Sequence, residues 1–307
     1  MKFMSRHIPV LPNEVIDSLQ PKANQNFIDC TLGDAGHSEM ILEKIGPNGK
    51  LLGIDADAES LLRAKQYLYR FEGRVIFARD NFVNLAKIIA ENNFGTVRGI
   101  LMDLGWSSPQ FSERGRGFSF EKDEPLDMRY QGGSELAAET AADVVNNYSE
   151  SDLVRIFKTY GEENLSKEIA AAIAEARKKR PIERTSQLVE IILAVYRKKL
   201  NSTKEIPWVG GLHPATKVFQ AIRIEVNHEL EVLRQALPQA VEALIAGGRL
   251  AVISFHSLED RIVKQFFQKL ANKTIKFVNK KPIIASDDEV AQNPKARSAK
   301  LRVVEKL

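Results

Sequence analysis

Among its 307 residues the chain has a single cysteine, Cys30. One thiol makes no intrachain disulfide, which excludes a disulfide-stapled scaffold and fits a reducing compartment. Its five histidines are scattered, and no His/Cys group has metal-ligand spacing, so no metal site is expected. No run approaches the ~18 apolar residues of a membrane span. Residues 1–10 carry no apolar core of a secretory signal. The expectation is a cytoplasmic protein without membrane contact. Charge of one sign is also scarce: 44 Lys and Arg against 40 Asp and Glu leave +4. That balance permits an anionic partner without demanding one. A further absence bears on cofactor class. The loop Asp29-Cys30-Thr31-Leu32-Gly33-Asp34-Ala35-Gly36-His37-Ser38 lacks the third glycine of the dinucleotide fingerprint, which disfavours a nicotinamide dehydrogenase.

What the chain does have is alternation. Short, wholly apolar runs at 27–31, 51–55, 74–78 and 99–104 are separated by helical patterns at 38–45, 58–71 and 83–93. Apolar strands alternating with helices predict a parallel sheet covered on both faces, a Rossmann-like α/β fold. The pattern breaks after residue 105. A long Gly/Ser/Pro-rich segment leads into helical stretches at 135–148 (capped by Ser134), 153–160 (capped by Ser149 with Asp152), 163–179 and 186–200. The α/β pattern resumes with a helix over 215–237, a strand over 249–255, a helix over 258–270 with Ser257 and Asp260 in a capping-box pattern at its start, and strands near 274–278 and 301–305. Residues 279–300 are read as a loop. The expected organisation is one discontinuous α/β domain, 1–112 and 214–307, with an all-helical insertion at 113–213.

Three places in the α/β part suit a ligand. The loop after the first strand opens a helix, whose first N–H groups are donors for an anionic group. Asp55 ends the second strand 26 residues after Asp29, where an acid can accept both ribose hydroxyls of an adenosine; a helix cap is the other reading. Asp80-Asn81-Phe82 closes the third strand, and Phe82 there either pinches an adenine or joins the core. The fourth strand runs into Asp103-Leu104-Gly105-Trp106-Ser107-Ser108-Pro109-Gln110. An exocyclic amine conjugated to a ring is a poor nucleophile. Acceptors for its N–H groups pull the nitrogen towards sp³ and free its lone pair. The turn Ser107-Ser108-Pro109 with Asp103 resembles the Asp/Ser-Pro-Pro-aromatic turn of amino-group methyltransferases. Gln110 replaces the aromatic, so Trp106, Phe118 or Phe120 would have to stack on the base.

Taken together, longer strings resemble the RsmH (MraW) small-subunit ribosomal RNA methyltransferases. They are His7 with Pro9-Val10-Leu11; the loop from Asp29 to Ser38; Gly53-Ile54-Asp55; Asp103 to Gln110; and Arg116-Gly117-Phe118-Ser119-Phe120. They continue with Pro125-Leu126-Asp127-Met128-Arg129, Lys158-Thr159-Tyr160-Gly161-Glu162-Glu163, His213-Pro214-Ala215-Thr216 onward to Leu230, and Ile253 to Arg261. One departure is Ala35, where the family commonly has the first of two adjacent glycines. The resemblance implies a class I methyltransferase sheet with an inserted helical domain. It implies S-adenosyl-L-methionine as cofactor, held by Ala35, Gly36, His37, Asp55, Phe82, Asp103 and Gln110. It also implies 16S ribosomal RNA as partner, within the small ribosomal subunit, methylated at N4 of a cytidine in the decoding region. No obligate protein partner is evident. The residues read as catalytic are Asp103, Ser107, Ser108 and Pro109. Trp106, Asp127, Arg129 and His256 are candidate substrate contacts, with a local ion pair as the other reading of Asp127 and Arg129, and a structural histidine that of His256. Basic groups at 177–180, 197–199 and 295–302 suit RNA backbone or are simply solvated. Methylation of DNA cytosine or a protein amide, and a non-catalytic RNA-binding or assembly protein that retains the cofactor, stay open.

Overall fold

The computed structural model describes residues 8–105, 115–130, 139–201 and 212–307. The apolar runs become β1 (Phe27–Asp29), β2 (Leu51–Asp55), β3 (Val75–Arg79), β4 (Val97–Asp103), β5 (Leu244–Ser254), β6 (Ile275–Phe277) and β7 (Lys300–Lys306). They form one seven-stranded sheet in the order β3-β2-β1-β4-β5-β7-β6. β1 to β5 run parallel and β7 is antiparallel to both its neighbours. β1, β2 and most of β4 are buried, as strands covered on both faces must be. Phe27 pairs across the sheet with Gly99, where a Cβ would lie 2.2 Å from the Phe27 ring. The missing side chain is what lets the ring lie flat over β4.

In chain order the helices are α1 (Pro12–Leu19), α2 (Gly36–Ile45), α3 (Ala58–Tyr67), α4 (Leu85–Glu91), α5 (Ala141–Asn147), α6 (Glu150–Thr159), α7 (Ser166–Arg177), α8 (Thr185–Leu200), α9 (Thr216–Asn227), α10 (Glu229–Ala243), α11 (Ser257–Leu270) and α12 (Asp287–Gln292). Among the described residues no helix is long and apolar enough to cross a membrane. The chain divides into two compact units, Met1–Ser107 with Leu230–Leu307, and Ser108–Glu229. The first has a core from Leu11, Phe27, Ile41, Leu42, Leu51, Leu101 and Ile253. The second has its own, from Val144, Leu153, Phe157, Ile169, Leu188 and Phe219.

Four expectations need correction. The division does not fall at 113 and 213. α9 belongs to the helical unit, because Val218, Phe219, Ala221 and Ile222 fill that unit's core. The helix expected over 215–237 is two helices, broken at His228 with φ 50°; histidine is one of the residues that tolerate left-handed backbone. The helix expected over 135–148 is not continuous: residues 139 and 140 are not helical, and α5 is capped by Thr140, whose hydroxyl accepts the Asp143 N–H at 3.1 Å; the cap expected at Ser134 lies outside the described residues. The stretch 279–300 is not plain loop: Ser286 caps α12, accepting the Glu289 N–H at 3.2 Å. Its residues tie down the N-terminal segment, Glu289 Oε1 accepting the Leu11 N–H at 2.6 Å and Asn293 Nδ2 donating to the Ile8 carbonyl at 3.2 Å.

Candidate active site

β1 leads outwards to β2 and β3, then the chain returns to place β4 on the other side of β1. Strand order therefore reverses between β1 and β4, and the crevice beyond their carboxyl ends is where open α/β sheets bind ligands. Three carboxylates end the three adjacent strands there: Asp55 on β2, Asp29 on β1 and Asp103 on β4.

Asp55 is not the cap of α3. That is Asp57, whose Oδ2 accepts the Ser60 N–H at 2.8 Å and the Ser60 hydroxyl at 2.7 Å. Asp55 instead takes the Gly33 N–H on Oδ2 and the Asp57 N–H on Oδ1, each at 2.8 Å. A carboxylate has about four acceptor positions. The two that remain suit a pair of vicinal hydroxyls. Burial pushes the Asp55 carboxyl up to about 6 against the pull of those two N–H donors.

In the loop itself, Gly33 and Ala35 have φ of 50° and 59°. This left-handed pair turns the chain sharply into α2, and Ala35, its N-cap, offers no side-chain acceptor to the first turn. At Gly36 a Cβ would lie 3.1 Å from the Pro9 ring, so the N-terminal segment packs directly on the loop. The same segment holds His37, whose Nε2 lies 2.8 Å from the Val10 carbonyl oxygen. A tight turn, uncapped helix N–H groups and a neighbouring two-acceptor carboxylate form a donor set that fits an amino-acid end and a ribose.

Asp103 is fixed from both sides. Its backbone N–H donates to Thr31 Oγ1 at 2.8 Å, and its Oδ1 accepts the Gly105 N–H at 3.0 Å. His37 Nδ1 stands 3.7 Å from its Oδ2. Burial pushes this carboxyl up to about 6 as well, against the pull of the Gly105 N–H donor. Asp29, which sequence reasoning left without a role, organises the floor. It accepts the Ser38 hydroxyl at 2.6 Å and the Thr31 N–H at 3.1 Å. Thus one buried carboxylate ties both ends of the loop and, through Thr31, the end of β4. The legible signal was its place at a strand end facing the crevice.

Of the other candidates, Phe82 is half-buried at the start of a single turn after β3, capped by Asn81 Oδ1 accepting the Val83 N–H at 3.0 Å. His256 caps α11. Its Nδ1 faces the Glu259 N–H at 3.5 Å, while Glu259 Oε2 accepts the Phe255 N–H at 2.8 Å. The capping pair is thus His256 with Glu259, one residue earlier than Ser257 with Asp260; Asp260 pairs instead with Arg302 on β7 at 2.7 Å. Asp127 and Arg129, in the helical unit, form the local ion pair, with Nε–Oδ1 and Nη2–Oδ2 both 2.8 Å. Burial would raise the Asp127 carboxyl, but the Arg129 hydrogen bonds and charge hold it below its usual value. In that unit Phe118 stacks on Tyr130 at 5.8 Å, and Phe120 stacks on His213 at 4.6 Å. Trp106, Ser107, Ser108, Pro109 and Gln110 lie outside the described residues.

The family described as the MraW methylase family matches residues 4–307. The chain is 45% identical to the ribosomal RNA small subunit methyltransferase H of Geobacter sp. (strain M21), over 98% of each chain. It is 45% identical to the protein of that name from Streptococcus mutans serotype c, again over 98% of each. It is 42% identical to the Clostridioides difficile protein of that name, over 98% of this chain and 99% of that one. A family match across essentially the whole length, with curated relatives at this identity, establishes what the residue strings suggested: the chain belongs to the MraW methylase family.

Proposed function

We propose that the protein transfers a methyl group from S-adenosylmethionine to N4 of a cytidine in the decoding region of 16S ribosomal RNA. Family membership supports methyl transfer, and the names of its curated relatives support small-subunit ribosomal RNA as the substrate. S-adenosylmethionine supplies a methyl group already made electrophilic by its sulfonium. Asp55 would hold the ribose hydroxyls on its two spare acceptor positions, the turn from Gly33 to Gly36 would receive the amino-acid end, and Phe82 would lie against the adenine. The target base leaves its stack, since N4 is on the pairing edge. Asp103, with Ser107, Ser108 and Pro109 as the sequence resemblance implies, would then accept its N–H bonds and aim the lone pair; positioning, more than acid–base strength, lowers the barrier.

The observation that favours the exocyclic amine over a ring carbon is the state of Cys30. Carbon methylation needs a nucleophile to add to the ring first. The only thiol in the chain is 1% exposed, and burial, with the Asp29 charge, pushes it well above the usual thiol range. An amine needs no such nucleophile.

The test is methyl transfer from labelled S-adenosylmethionine to small-subunit particles, naked 16S rRNA and DNA, with nucleoside analysis of the product. N4-methylcytidine in the rRNA is expected. A C5-methylated product, or label on DNA or protein, overturns the reading, and cofactor binding without transfer to any substrate makes the protein a non-catalytic binder. Independently, Asp55→Ala should weaken S-adenosylmethionine binding about tenfold or more in calorimetry, since charge-assisted hydrogen bonds contribute ~1.5–3 kcal/mol each.

A further inference from the structure

The His37 side chain has two neighbours of opposite character. Nε2 meets the Val10 carbonyl oxygen at 2.8 Å. A carbonyl only accepts, so Nε2 carries the ring hydrogen. In the neutral imidazole the lone pair is then on Nδ1, which faces Asp103 Oδ2 at 3.7 Å. The tautomer is fixed by the protein backbone, as a base that must receive a proton on one defined nitrogen requires. His37 is 6% exposed, and the acids around it are Asp29 on β1 and Asp103 on β4, with Glu259 on α11 acting on Asp103. The ring thus lies between the Asp29 and Asp103 carboxylates.

We propose that His37 is the positioning residue behind Asp103 that receives the proton lost by the methylated amine. This rests on the reading in which Asp103 meets that amine. As the N–CH₃ bond forms, the S–CH₃ bond breaks and its electron pair stays on sulfur, leaving the nitrogen positive and strongly acidic. While that charge is still developing in the transition state, the Asp103 carboxylate takes the nitrogen's proton and hands it from Oδ2 to His37 Nδ1. The products are a neutral methylamine, a thioether and an imidazolium whose Nε2–H still points at Val10. The imidazolium gives its proton to water after product leaves. The present 3.7 Å gap is of the kind that tightens when substrate fills a site.

Three variants of the full chain and one measurement on the wild type test this. ¹⁵N NMR of the wild-type imidazole should show hydrogen on Nε2 and a lone pair on Nδ1; the opposite tautomer overturns the proposal without any mutation. His37→Gln keeps an amide donor for Val10 but takes no proton. At saturating S-adenosylmethionine it should lose single-turnover rate by roughly tenfold to a hundredfold, below the full range for a positioned acid–base group. In His37→Ala, added imidazole should restore rate in proportion to its free-base form. A wild-type rate in His37→Gln, or no imidazole rescue, overturns the proposal. Asp103→Asn is the control for the underlying reading, with an expected loss of about a hundredfold or more at nearly unchanged cofactor affinity. If Asp103→Asn is impaired in this way and His37→Gln is not, only the role of His37 falls. If Asp103→Asn is unimpaired, the assignment of Asp103 falls with it.

Discussion

At the scale of single residues, the site is dominated by carboxylates held short of full solvation. Burial raises Asp55 and Asp103 to about 6 and raises Asp29 as well. An aspartate in the unfolded chain titrates near ~3.9. Between roughly pH 4 and pH 6 the folded chain therefore keeps protons on Asp55 and Asp103 that the unfolded chain has lost, and these two groups destabilise the fold as pH rises through that window. Ribose hydroxyls donating to Asp55 favour its charged form and lower its proton affinity. Cofactor binding near pH 6 should accordingly release protons, seen in calorimetry as a dependence on the buffer's ionisation enthalpy. Affinity should be about tenfold weaker at pH 5 than at pH 7.5 and level above that, because one pH unit below a titrating group's midpoint removes a factor of ten. Asp55→Asn should abolish the release. Affinity that does not change with pH would mean that Asp55 does not meet the ligand.

At the scale of elements, the start of α2 sets two small effects against each other. Ala35 holds φ 59°, where an L-residue costs about 1 kcal/mol or more relative to glycine. Its methyl is wholly buried, which contributes about 0.8 kcal/mol. Ala35→Gly should thus leave stability within about 1 kcal/mol of wild type, whereas Ala35→Val, branched at Cβ in left-handed backbone, should lose about 2 kcal/mol or more. Urea midpoints at constant slope decide this, and a large loss in the glycine variant would show that the methyl matters more than the strain. The strands were legible because runs such as Phe27-Ile28 and Leu51-Leu52 are apolar on both faces, a pattern that needs no knowledge of the partner. Helix ends were legible only where one cap competes, as at Ser149, which accepts the Asp152 N–H at 3.1 Å as expected. At α11 two capping patterns overlap by one residue. The choice of His256 with Glu259 was made by Arg302, which draws Asp260 away from 42 residues further on. The link from Thr31 to the Asp103 backbone spans 72 residues and is hidden for the same reason. Periodicity reports which face is buried; it does not report which distant group claims a polar side chain.

At the scale of the whole molecule, one unit carries the sheet and its carboxylates, and the other, among its described residues, is built of helices and no strand, with its own core. We propose that the helical unit positions RNA through its basic groups, and the structure sorts those groups. Arg177 Nη1 donates to the Val145 carbonyl at 2.8 Å, so it joins α7 to α5 and is a poor candidate for a phosphate contact. Lys178, Lys179 and Arg180 are exposed, and Lys178 pairs with Glu175, a solvent-screened pair that costs little to break. Phosphate contacts release counterions, so each one lost should lower the slope of log affinity against log salt by about 0.7–0.9. Reversing Lys178, Lys179 and Arg180 to Glu should raise the KM for rRNA and flatten its salt dependence, with S-adenosylmethionine affinity unchanged. Arg177→Met should do the reverse, lowering the melting temperature while leaving the salt slope intact. A triple variant with wild-type RNA kinetics at several salt concentrations would make this end of α7 a solvated face and move the RNA contact elsewhere in the molecule.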